Sequence, residues 1–339
     1  MDAPDKERAL IPVMRRYVTT GLLIAAGVIL LASFFLGRYP APYVTTFSDI
    51  TGNEMARNIV FHIRLPRVIT AFVLGVVLSC SGMVFQMVFR TPLVDSGFLG
   101  VSGGAAFGAC LAITAWGGQV YTTQISAALF ALLGLGASCL IAGRMRFGDW
   151  ALRLVLSGIA VSALYASGAG ILKYLADPLR ALPEITFWLL GGLWGVTWPD
   201  TIHVLIISIP CVGIIYAMRW RLNLLSMQDE TAFSLASSPG RERLVLLLAA
   251  VLATAVVVSK AGQIAWVGLI VPNIARRLVG ADAQRALPCS LLMGGVFVLV
   301  CDNLSRTVLS GEIPLGILTA LAGAGIFIGL LVTGRGGIR

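Results

Sequence analysis

Apolar positions along this chain come in long unbroken runs, separated by short polar segments that are often basic. Ten runs stand out, at 17–36, 66–89, 101–116, 122–143, 150–172, 201–218, 243–262, 264–279, 286–309 and 314–333. Each predicts a helix, because a bilayer core about 30 Å thick is crossed by roughly 20 apolar residues. Two runs, 101–116 and 264–279, are short, and they are rich in Gly or interrupted by Pro272. Such segments must be shielded by neighbouring helices, since lipid cannot hydrogen-bond a freed backbone group. The expected fold is an all-α polytopic membrane protein with about ten transmembrane helices, forming a single permease-like domain over 1–339.

The runs carry a weak internal echo. Ser79, Gly82, Pro92 and Gly100 recur as Ser259, Gly262, Pro272 and Gly280, each displaced by 180 positions. The displacement crosses an odd number of helices, so the copies would lie inverted in the membrane. Two inverted repeats, about 64–175 and 243–333, are therefore expected, with any pathway at their interface.

Composition narrows the class. Of 339 residues, 58% are hydrophobic and 12% charged, where a soluble protein carries about 25% charged residues. A soluble domain, a disordered chain and a disulfide scaffold are excluded. The net charge of +9 does not point to nucleic acid, because the cations lie in short segments between apolar runs. With the N-terminus inside, the inner segments hold 17 Lys and Arg and the outer ones 8, as the positive-inside rule requires for an N-in, C-in chain. Arg15 and Arg16 before the first run imitate a signal peptide, but no small-residue cleavage pattern follows closely, so a retained helix is expected. The cysteines Cys80, Cys110, Cys139, Cys211, Cys289 and Cys301 fall in or beside apolar runs without a CxxC, and read as free thiols.

Candidate chemistry is sparse. No GxxxxGK[ST] segment and no HExxH occurs, and His62 and His203 are isolated near helix ends. No catalytic residue, metal ligand or cofactor is assigned. Ion-coupled carriers place carboxylates mid-membrane, whereas Asp95, Asp149, Asp200, Asp229, Glu230 and Asp282 fall at helix ends or in loops. Asp302 is the exception, and its spacing to Arg306 suits an i, i+4 ion pair. Trp188, Trp194 and Trp198 read as an aromatic belt near the outer boundary. Gly103 and Gly104 suit close helix approach.

Three segments carry a resemblance. They are IRLPRVITAFVLGVVLSCSGMVFQMVFRTPLVDSGFLGVSGGAAFGA at 63–109, FWLLGGLWGVTWPD at 187–200, and GQIAWVGLIVPNIARRLVG at 262–280, followed by CDNLSRTVLSGEIPLGILTALAGAGIFIGLL at 301–331. Together they resemble the FecCD family, permease subunits of type II ABC importers for iron–siderophore complexes, haem and cobalamin.

The resemblance implies a homodimer in the bacterial inner membrane, served by two cytoplasmic ATP-binding subunits and a periplasmic or lipid-anchored substrate-binding protein. On its terms Arg64, Arg67 and Arg306 are outward-facing arginines that dock the binding protein. The loop 219–243 contains the coupling segment, with Asp229, Glu230, Ala232 and Leu235 matching the family and Ala236 standing where it usually has Gly. Leu224, Leu225, Ala232 and Leu235 favour short packed helices there. Thr91, Pro92 and Leu93 occupy the place of a cytoplasmic gate, with Thr91 where the family usually has Asn. The permease itself would be no enzyme. Its implied cargo is an iron–siderophore type metal chelate, with haem and cobalamin as alternatives in the family and an ion-coupled secondary transporter as the alternative of another class.

Overall fold

The computed structural model describes residues 3–39, 44–227, 231, 234, 239–309 and 311–332. Among them the chain is helical apart from its connections and an isolated antiparallel bridge between Leu36 and Val44. The helices are α1 (Ala3–Phe35), α2 (Phe47–Gly52), α3 (Glu54–Ile59), α4 (Leu65–Val88), α5 (Val101–Trp116), α6 (Val120–Arg144), α7 (Trp150–Leu175), α8 (Ala181–Leu190), α9 (Trp198–Ala217), α10 (Arg219–Leu225), α11 (Pro239–Ala261), α12 (Val267–Val279), α13 (Ala283–Thr307) and α14 (Leu315–Val332). A wide turn, Val60–Arg64, fuses α3 to α4.

Among the described residues, seven helical segments are long and apolar enough to cross a membrane: α3–α4, α6, α7, α9, α11, α13 and α14. Every apolar run of the sequence coincides with a helix, but boundaries moved. The first helix starts well before residue 17, and the segment expected at 264–279 becomes helical only at Val267. Helix α8 was not foreseen: its 10 residues fall below the length of a span.

Burial sorts the bundle into a core and a rim. The best apolar windows of α4 and α11 are 78% and 67% buried, whereas that of α14 is 17% buried. Apolar side chains on the rim, such as Leu164, Tyr174 and Leu321, are exposed, which costs nothing beside acyl chains. Without a hydrophobic drive between helices, contact depends on close packing and polar links. Both occur on α4. Gly82 lies so near Gly268 of α12 that a Cβ would overlap its carbonyl. Thr254 of α11 donates to Ser81 at 2.9 Å, and Ser81 donates to the Ala250 carbonyl at 3.0 Å. Gly104 does the corresponding work on α5, where a Cβ would overlap the Phe130 carbonyl of α6.

The echo displaced by 180 positions is not a structural register. Gly82 lies inside α4 while Gly262 follows the end of α11 with φ 68°. Pro92 stands in a turn while Pro272 is inside α12, and Gly100 precedes α5 while Gly280 ends α12. Gly and Pro are frequent in membrane helices, so their coincidence at one spacing carries little positional information.

Pro272 also does not break its helix. Lacking an N–H, it leaves the carbonyl of Gly268, four residues back, without an intrahelical donor. Gln86 of α4 supplies one: its Nε2 donates to Gly268 O at 3.1 Å and to Leu269 O at 2.9 Å.

Candidate functional site: a cavity and an ion cluster at opposite ends of the bundle

Two polar sites lie at the two ends of α4, some 35 Å apart at 1.5 Å per helical residue. At the C-terminal end, α4 stops in a tight turn. Arg90 takes a left-handed conformation with φ 54°, and Thr91 N–H returns to Gln86 O at 3.1 Å. This is the bond pattern that satisfies terminal helix carbonyls, here without the usual glycine. Arg90 Nε reaches Leu225 O of α10 at 3.4 Å. Leu222, Leu224 and Leu225 bury α10 against the bundle, as its leucine spacing predicted.

Beside this turn is a cavity of about 480 Å³. Thr91, Pro92 and Leu93 form one wall, Asn273, Arg276 and Arg277 a second, and Phe327 and Leu330 of α14 a third. The three gate residues expected from the sequence are thus brought together. A polar chain ties them to α12: Asn273 Nδ2 donates to Pro92 O at 3.0 Å and to Leu269 O at 2.8 Å, while Arg276 donates to Asn273 Oδ1 at 2.6 Å and to Gln86 Oε1. Gln86, Asn273 and Arg276 were not singled out from the sequence. The available signal was Pro272, whose freed carbonyl demands a donor. Further along, Asp95 accepts from Gly97 N–H at 2.8 Å and caps the short turn Ser96–Leu99. Burial pushes its carboxyl above the usual range, opposed by that bond.

At the other end, the three arginines that the resemblance makes outward-facing docking residues are buried by their own chain. Arg67 Nε lies 2.9 Å from Asp302 and its Nη1 lies 2.7 Å from Glu312. Arg306 Nε lies 3.3 Å from the other Asp302 oxygen, the i, i+4 pair that the spacing predicted. Arg306 also donates to Ser33 O at 2.9 Å. Arg64 donates to Thr45 Oγ1 and to Tyr39 O, each at 2.7 Å. The guanidinium of Arg67 rises from the first turn of the buried helix α4, and Asp302 of α13 and Glu312 offer carboxylates within reach. Nearby, Lys260 pairs with Asp200 and Gln124, joining α11, α9 and α6. Trp198 Nε1 donates to Phe61 O at 2.9 Å, and Trp194 packs edge-on against Phe187.

The coupling residues Asp229, Glu230, Ala232, Leu235 and Ala236 lie outside the described residues. The six cysteines are free, Cys139 exposed and the others buried. Among the described residues, no group of three His, Cys, Asp or Glu side chains could hold a metal ion.

Among the described residues, a polar cavity thus lies at one end of the bundle and an ion cluster at the other. The profile of the FecCD transport family matches residues 23–333. This chain belongs to the FecCD transport family. Its relatives carry different cargo names. The molybdate import system permease protein MolB of Haemophilus influenzae is 37% identical over 94% of this chain and 96% of its own. A probable iron chelatin transport system permease protein of Helicobacter pylori is 38% identical over 82% of this chain and 83% of its own. The hemin transport system permease protein HmuU of Yersinia pestis is 34% identical over 93% and 95%. A solved inward-facing conformation of a putative metal-chelate type ABC transporter superposes with a TM-score of 0.85 at 34% identity, covering 94% of this FecCD chain and 99% of that one. This FecCD protein is thus an integral membrane permease of the ABC importer class.

Proposed function

We propose that the chain is the permease subunit of an ATP-driven importer that moves an iron–siderophore type metal chelate into the cytoplasm. The observation that carries this reading is the near full-length match to FecCD permeases and to the metal-chelate transporter fold. Two subunits form the pathway about a two-fold axis in the inner membrane, with both termini of each inside. Two ATPase subunits dock through the 219–243 loop, with Asp229, Glu230, Ala232, Leu235 and Ala236 at the contact. A substrate-binding protein docks at the opposite face. There Arg64, Arg67 and Arg306 act from beneath, holding the docking surface in shape through their internal partners.

The packing supports a ten-helix, two-half plan with a register other than 180. Each half opens with a long buried helix, α4 or α11, followed by a short helix entered through a left-handed residue, Gly100 with φ 78° or Trp266 with φ 74°. Helix α4 packs on α12 and α13, and α11 packs on α6 and α5, so each leading helix leans on the other half. The Thr91–Leu93 turn is the inner gate, opened by small movements of a backbone held through Asn273.

The test is reconstitution. Permease, its ATPase and its binding protein in liposomes should accumulate a ferric siderophore only with ATP. Uptake driven by an ion gradient without the ATPase would establish the secondary-transporter alternative instead. A Thr91→Cys variant lacking the six native cysteines should react with an impermeant thiol reagent from the cytoplasmic side only. Labelling from outside in every nucleotide state would overturn both the orientation and the gate.

A further inference from the structure

Among the described residues, the lining of the cavity beside the gate turn carries arginine and no carboxylate. Arg276 is set into its wall with neutral partners only: the Gln86 and Asn273 side-chain oxygens, and Met83 Sδ at 3.3 Å. Arg277, the next residue, is exposed on the same wall. No Asp or Glu is among the described residues that line the cavity. Asp282, close in sequence to the lining residue Ala281, is committed elsewhere. It accepts from Asn223 Nδ2 at 2.7 Å and caps α13 through Gln284 N–H at 3.0 Å. Positive charge in a concave, partly apolar site focuses the field and raises the local concentration of anions. The guanidinium fork matches the paired oxygens of oxyanions and carboxylates.

We infer that this cavity receives its cargo as an anion, an oxyanion or a metal chelate of net negative charge, drawn to Arg276 and Arg277 at the inner side of the Thr91–Leu93 turn. The inference rests on the importer reading and adds to it the sign of the cargo's charge. The contact is a weak one by construction. Arg276 already spends donors on Gln86 and Asn273, and a pathway site must release what it attracts. Phe327, Leu330 and Leu331 supply an apolar face for the organic part of a chelate.

The test uses the full-length permease in nanodiscs with its ATPase subunit, and three labelled probes: molybdate, a trianionic ferric tricatecholate and a cationic ferric trihydroxamate. At least one anionic probe should bind, and its affinity should fall as ionic strength rises, the mark of an electrostatic contact. The cationic probe should not bind. Arg276→Gln with Arg277→Gln should weaken anion binding by about tenfold or more, while the double Lys variant, which keeps the charge but loses the guanidinium fork, should weaken it less. Arg277→Gln alone, at an exposed position, and the salt titration of the unaltered protein keep the test valid if the double variant fails to fold. Anion binding unchanged in Arg277→Gln and in the double Gln variant would overturn the inference. So would preference for the cationic probe. If Arg277→Glu disrupts ATPase co-purification and leaves anion binding unchanged, the charges serve a subunit contact and the inference falls. ATP-driven uptake without anion binding would sink this inference alone. Anion binding without ATPase association would leave the site standing and remove the importer reading.

Discussion

Arg67 and Arg306 at one end of α4 and Arg276 at the other use arginine in opposite ways, while Arg64, beside the first two, meets only Thr45 Oγ1 and the Tyr39 carbonyl. At the N-terminal end, Arg67 and Arg306 share Asp302, and Arg67 takes Glu312 as well. At the C-terminal end, Arg276 meets amide oxygens and a thioether, and a cavity lies open beside it. A compensated cluster has little charge left to offer a ligand, so its effect is to hold helices in register. An uncompensated arginine keeps its field, so its effect is felt in the space it faces. The comparison teaches that burial of an arginine says nothing about function until its partners are counted.

The largest expected effect breaks the compensated end. Asp302→Asn removes the charge shared by two buried guanidinium groups. Breaking a buried pair from one side costs about 3–5 kcal/mol, so thermal unfolding of the detergent-solubilised variant should begin far below that of the parent. A melting temperature within a degree or so of the parent would mean that the cluster is not coupled. The triple variant Arg67→Met, Asp302→Leu and Arg306→Met, which removes both guanidinium groups together with the carboxylate they share, should recover much of the loss, because apolar replacement of a whole charged set is often neutral.

A smaller effect is expected at the other end, where hydrogen bonds replace ion pairs. Gln86→Ala strips Gly268 O of its donor and Arg276 of one acceptor, a loss of about 1–3 kcal/mol for buried unsatisfied groups. Pro272→Ala restores an N–H that can reach Gly268 O. In the double variant the cost of losing Gln86 should therefore shrink, with a coupling of roughly 1 kcal/mol in a double-mutant cycle. Additive losses would show that Gln86 and Pro272 act independently.

The smallest effect sharpens the comparison from outside. Glu54 and Arg57 form an exposed pair at 3.5 Å on α3. Glu54→Gln should change unfolding by well under about 1 kcal/mol, as solvent screens such pairs. A loss comparable with that of Asp302→Asn would mean that burial is not what separates the clusters.

How much was legible beforehand follows from the range of each interaction. Runs of apolar residues are local, and every one became a helix. The Asp302–Arg306 pair is a matter of four residues on one helix, and its spacing gave it away. Leu224 and Leu225 announced a packed α10 by the same kind of short-range pattern. The third member of the ion cluster did not show, because Arg67 lies 235 positions from Asp302. Its burial likewise shows only with α4 and α13 side by side. Gln86 is an unremarkable residue at the end of an apolar run until α12 brings Gly268 against Gly82. The echo at 180 positions misled for the converse reason: it matched residue types that many membrane helices share, at positions that do different work.

The sequence by itself determined the solvent of this protein and the number and rough limits of its apolar segments. Hydropathy and helical hydrogen bonding are satisfied within one stretch of chain. It also determined the family, through the joint spacing of RLPR, TPLVDSG, VPNIAR and EIPLG. Only the tertiary structure decided which arginines are neutralised and which keep their charge. A carboxylate counts as a partner only within a few ångströms, and such distances between helices far apart in sequence are set by how closely glycines such as Gly82 and Gly268 let those helices approach.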